Sequence, residues 1–187
     1  EAIDYSRKSL EIQKKLDYKI GIGIAYINLG EYYLNLYKTD TLSEYTSALD
    51  SSRFYYQNAL VIGLEIEDEQ RISNAKSGIG KIYLFTEKYD SAKFYFNQVV
   101  DISKKNGVIE STMEAYFYLS AVDSALGNYN NALQNFKLYK LYSDSVFTDE
   151  NINAISEMEI KYQTEKNNRK LKIWRKNNNF RLLKTDF

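Results

Sequence analysis

Apolar and aromatic positions along this chain recur at helical spacing, and the whole pattern recurs again at a longer interval. Tyr26, Leu29, Gly30 and Tyr33 form one cluster. The same steps return at Lys76, Ile79, Gly80 and Tyr83, and more weakly at Tyr116, Leu119, Ser120 and Asp123. A companion pattern follows each cluster: Ser52, Tyr56 and Ala59, then Ala92, Phe96 and Val99, then Ala132, Phe136 and Tyr139. Steps of three and four place such residues on one face of a helix. The spacing therefore predicts helices near 1–17, 20–37, 42–66, 69–86, 89–105, 108–126 and 129–146. Short polar breaks at Asp17-Tyr18, Glu67-Asp68 and Asn106-Gly107 separate helix pairs. Glu87-Lys88-Tyr89 and Gly127-Asn128-Tyr129 turn the chain within them, and turns this short join antiparallel neighbours.

The longer interval is regular. Gly80 to Ser120, Ala92 to Ala132 and Ala59 to Val99 are each 40 positions apart. Gly30 to Gly80 is 50, so the first copy carries ten extra residues, between Tyr37 and Leu49. Thr41-x-x-Glu44 within them has the form of a capping box, which predicts an N-terminal extension of the helix that follows, with a loop as the alternative. Ala2, Ser6 and Ser9 stand 50 positions before Ser52, Tyr56 and Ala59. The chain is thus expected to begin inside the second helix of an incomplete repeat, as a piece of something longer.

These residues resemble the tetratricopeptide repeat (TPR). In that family an aromatic, Leu-Gly and Tyr mark helix A, and small and aromatic residues mark helix B. A small residue at the Gly30, Gly80 or Ser120 position lets helix A approach helix B, and large aromatics fill the space between pairs. A single hairpin cannot bury its apolar face, so several must stack. The resemblance implies an all-α fold: a TPR α-solenoid of antiparallel helix pairs with repeats of about 40 residues, against the usual ~34, and a long C-terminal helix. The expected domains are a TPR array over 1–147 (a partial repeat 1–20, then repeats at about 21–68, 69–107 and 108–147) and a charged C-terminal helix over 148–187. The family's groove positions, carried over, are Ile24, Ile27, Asn28 and Glu31, then Asn74, Ser77, Lys81 and Phe85, then Phe117, Tyr118, Ala121 and Ser124. The family's clamp for a C-terminal carboxylate needs a Lys/Asn/Arg set. Only Asn28, Asn74 and Lys81 approach it, away from the clamp positions, so no binding of chaperone C-termini is expected. The lining suits a partly apolar peptide or helix.

Charge changes the picture at one end only. The 25 basic and 25 acidic residues of the 187 cancel, which offers no overall attraction to nucleic acid or anionic lipid. From Lys161 to Phe187, however, nine basic residues meet two acidic ones, so this tail carries +7 and residues 1–160 carry −7. Thr148-Asp149-Glu150 reads as a helix start, and Ile152, Ile155, Met158 and Tyr162 follow on one face. A heptad through this tail is interrupted by Lys166 and Arg169, which leaves a solvated helix and a dimerising coiled coil both open.

The stretch Asp144-Ser145-Val146-Phe147, Glu150-Asn151, Ile155, Glu157, Glu159 and Lys161 to Lys166 resembles the junction in bacterial TPR signalling proteins. There a TPR input region leads through a charged helix and a transmembrane helix to a histidine kinase, or to a helix-turn-helix output domain. The resemblance implies a protein-protein interaction module, the sensory region of a signal-transduction or transcription-regulating protein. Its partner would be a protein or peptide, or a second copy held through the C-terminal helix, with a membrane helix downstream and no direct contact with nucleic acid. The alternative is a free-standing TPR scaffold. Lys170, Lys172, Arg175 and Lys176 favour a cytoplasmic side, so a periplasmic input region and a cytoplasmic one both stay open.

Enzymatic function is not expected. The chain has no His, Cys or Pro, so the usual general base, thiolate nucleophile and zinc ligands are missing. Neither cofactor nor metal is expected. Glu65, Glu67, Asp68 and Glu69 lack the Gly and alternating spacing of a calcium loop and read as a solvated turn. Gly21-Ile22-Gly23 lacks the following Lys-Ser/Thr of a phosphate loop and reads as a close-packed helix start. The 18 Tyr residues are expected mostly at packing positions.

Overall fold

Regular turns, rather than strong helix propensity, set the frame of this molecule. The structure, a computed structural model, describes residues 2–39, 46–145 and 149–182. Among them every element is a helix: α1 Ala2–Lys15, α2 Lys19–Thr39, α3 Thr46–Glu65, α4 Glu69–Phe85, α5 Tyr89–Lys105, α6 Ile109–Ala125, α7 Tyr129–Ser145 and α8 Asp149–Leu182. All the expected helices are present, with ends within a few residues of those read from the spacing. Thr41, Glu44 and Thr148 lie outside the described residues.

Five of the connections are the same turn. Asp17, Glu67, Glu87, Gly107 and Gly127 each take a positive φ, from 47° to 73°. In each, the amide of that residue donates to the carbonyl three back, and the next amide donates to the carbonyl five back. At the α5–α6 turn these bonds are Gly107 N to Lys104 O, 3.2 Å, and Val108 N to Ser103 O, 2.8 Å. This is a Schellman turn, which satisfies carbonyls that the ending helix leaves open. The helices α4 to α7 are each 17 residues long. With a three-residue turn, each helix advances the chain by 20 positions, which is the physical origin of the 40-residue period.

Neighbouring helices pack in sequence from α1 to α6, and α4 also touches both α2 and α6. Residues 1–140 form one compact unit, an all-α solenoid, and 141–187 a second. In the first, Leu10, Ile22, Ala25, Tyr26, Leu29, Ala59 and Ala75 make one core cluster. Leu34, Leu49, Tyr56, Ile79 and Ile82 make the next. Each fully buried large side chain contributes roughly 1.5–3 kcal/mol relative to exposure. Close approach of paired helices is visible at Gly30, where a Cβ would meet the Tyr56 ring at 3.0 Å. Ser52 Oγ donates to Gly30 O at 2.8 Å, and in the third repeat Ser120 Oγ donates to Ala132 O at 2.9 Å. Tyr26, Tyr56 and Tyr116 are buried, in keeping with the packing role expected of the tyrosines.

In the second unit Tyr142 is buried and donates to Glu159 at 3.3 Å. The helix α8 is 34 residues long. Met158 and Tyr162 are exposed, as is Trp174 at 62%. The side chains of Ile152 and Ile155 lie outside the described residues. Among the described residues no helix is long and apolar enough to cross a membrane.

Candidate functional site

The first helices of the three repeats, α2, α4 and α6, meet around one side chain, Lys81. It is buried on α4. Its ammonium lies 2.8 Å from a Glu114 oxygen on α6 and 3.8 Å from a Glu31 oxygen on α2. Tyr56 Oη, from α3, donates to the same Glu31 carboxylate at 2.6 Å. Ser77 Oγ reaches Glu114 at 3.4 Å. The Lys81 ammonium also stands 5.5 Å from the centre of the Tyr118 ring, within range of a cation–π attraction. Tyr118 in turn stacks on Phe96 at 5.0 Å.

The electrostatics follow from this enclosure. Burial alone pulls the Lys81 ammonium down, but Glu114 and then Glu31 more than offset it, and its pKa ends above its ordinary value. Burial pushes the Tyr56 hydroxyl up strongly, and Glu31 adds to the effect. Burial likewise raises Tyr118. A lysine held charged and paired is neither a general base nor a nucleophile. One cation against two carboxylates leaves this hub with one net negative charge. Both carboxylates keep part of their surface open, at side-chain exposures of 43% for Glu31 and 42% for Glu114.

The residues expected to line the binding face divide into two sets. Ile24 and Phe117 are each 45% exposed, and Asn28, Ala121 and Ser124 are exposed as well. Glu31, Lys81, Ser77 and Tyr118 belong to the hub. Asn74 is partly covered and accepts from Gln70 at 3.0 Å. Ile27 and Phe85 pack against the apolar clusters, and Lys38 lies over the Phe85 ring at 4.7 Å. Lys81 is therefore not a free cation awaiting a ligand: its charge is already answered within the chain. Glu114 was missed by sequence reasoning, although the 40-residue register carried from Asn74 lands on it. Tyr56 was read as a packing residue only. No spacing signals its hydroxyl bond to Glu31, which joins positions 25 apart on different helices.

The acidic turn is used structurally. Asp68 caps α4 by accepting from Arg71 N at 3.0 Å. Glu65 pairs with Lys19 at 3.3 Å, and Glu69 with Lys105 at 2.6 Å. Among the described residues no group of acids is arranged to hold a metal ion. Gly23 fits its expected role: a Cβ there would press on Arg71 Cδ at 3.0 Å.

No protein-family model matches this chain, and no curated protein matches it.

Proposed function

We propose that the chain is a TPR module that holds a peptide or a helix of another protein against the α2–α4–α6 face. The observation that carries this reading is the hub itself: three first helices converge on Lys81, leaving a net negative site on helices that also carry exposed Ile24 and Phe117. Such a face suits a partner segment with a basic residue next to apolar ones. The apolar side chains would supply contact area, and the open oxygens of Glu31 and Glu114 would accept from the basic one. Within this reading the long, exposed, basic C-terminal helix suits the output side of a bacterial signalling protein. The occupied module would bias the arrangement of that helix.

The test is selection of peptides from a random library displayed against the whole chain. Enriched peptides should pair Arg or Lys with apolar residues. The double variant Ile24→Ala with Phe117→Ala should weaken them by about tenfold or more, while Phe94→Ala, on helix α5, should leave them bound. Retained binding in the double variant would remove this face as the site. Lys81→Glu is a poor probe, because a third carboxylate beside Glu31 and Glu114 would disturb the fold as well as the surface.

A further inference from the structure

The repeat register exposes an unanswered cation. Arg53 on α3 and Lys93 on α5 are equivalent positions, as are Tyr83 and Asp123, and Tyr95 and Asn135. At the second junction the cation is neutralised within the chain. Lys93 Nζ donates to Asp123, and Asn135 Nδ2 donates to the other Asp123 oxygen at 2.8 Å. At the first junction both partner positions hold Tyr. The Arg53 guanidinium lies 5.7 Å from the Tyr83 ring centre, and Tyr83 stacks on Tyr95 at 5.6 Å. Among the described residues no carboxylate forms an ion pair with Arg53, and its Nε is buried without a hydrogen-bond partner. A cleft of 210 Å³ opens at this point, walled by Leu60, Val61 and Ile79 beside the Tyr pair, with the Gln57 amide at its edge.

We propose that this cleft binds a small organic carboxylate with an apolar or aromatic body, whose carboxylate answers Arg53 as Asp123 answers Lys93 one repeat later. A guanidinium offers a planar pair of donors that matches a carboxylate. The body would lie against Leu60, Ile79 and the Tyr83 ring. The cleft is smaller than the roughly 300–1,000 Å³ of drug-sized sites, which limits the ligand to fragment size, and a single guanidinium calls for a monoanion. None of the lining residues belongs to the Lys81 hub, so this site stands or falls apart from the peptide-binding reading.

The experiment titrates the whole chain with 3-phenylpropionate and, separately, with its neutral amide, following Tyr ring resonances by NMR. The expected result is saturable binding of the acid in the millimolar range, with the amide weaker by about tenfold or more. Arg53→Gln should weaken the acid by a similar factor. Tyr83→Asp, which imports the carboxylate of the second junction, should also abolish binding and guards against a folding defect in the first variant. Absence of saturation below about 10 mM, equal binding of acid and amide, or unchanged binding in both variants would overturn the proposal.

Discussion

At the junction around Phe96, two aromatic rings stack: Phe96 on Tyr118 at 5.0 Å. At the equivalent junction around Tyr56, the position matching Tyr118 is Gly78, and the Tyr56 ring occupies the space a Cβ would need. A second exchange accompanies the first. Where one junction pairs Lys93 with a carboxylate only 1% exposed, Asp123, the other sets Arg53 over a stacked Tyr pair. The lesson is that these repeats keep the helix register but neither the side-chain volume nor the chemistry that fills it. One junction is closed by internal charge pairing. The other is left with an open cleft and a cation that no described acid neutralises.

The largest expected effect separates the two cations. Lys93→Met strands Asp123 with a single hydrogen-bond partner and should cost about 3 kcal/mol. Arg53→Met gives up only a cation–π contact and should cost less than about 1 kcal/mol. Urea denaturation of both variants would check this, and equal losses would dissolve the distinction between the junctions.

Next in size is Gly78→Ala. Helix propensity alone predicts stabilisation of about 1 kcal/mol. The collision with the buried Tyr56 ring predicts a cost of about 2 kcal/mol, from overpacking a site with no slack. A lower melting temperature supports the tight first junction, whereas a higher one means that the ring yields.

The smallest effect sharpens the Tyr–Phe exchange itself. Tyr56→Phe should cost about 1 kcal/mol at pH 8 through the lost bond to Glu31. Its signature lies in the pH dependence. The folded pKa of Tyr56 is raised above its ordinary 10.0, so the stability it supports is present below about pH 10 and is lost as pH rises beyond it. Lys81, raised above 10.5, acts with the same sign. The urea midpoint should therefore fall above about pH 10 in the native chain and fall less steeply in Tyr56→Phe. Parallel curves would show that the hydroxyl is not held as described.

Much of the fold was legible because it depends on local rules. Apolar steps of three and four gave α1 to α7 their places, and Gly107 and Gly127 announced left-handed turns at which helices end. Asp17, Glu67 and Glu87 occupy the same left-handed conformation without the residue type that signals it. They were placed as short polar breaks between periodic segments. The candidate site was legible in part. Ile24, Asn28, Phe117, Ala121 and Ser124 are exposed, while Glu31, Ser77, Lys81 and Tyr118 come together in the hub. The pairing of Lys81 with Glu114 was not, because charge partners 33 positions apart leave no trace in local spacing.

By itself the sequence determined the succession of helices, the 40-position period and the need for pairs to stack, since each follows from periodicity and turn chemistry along a short stretch of chain. Only the tertiary structure decided which cations are neutralised, which glycine a ring presses against and where a cleft remains. Those outcomes depend on side chains brought together from different helices, and on whether the space between them is filled.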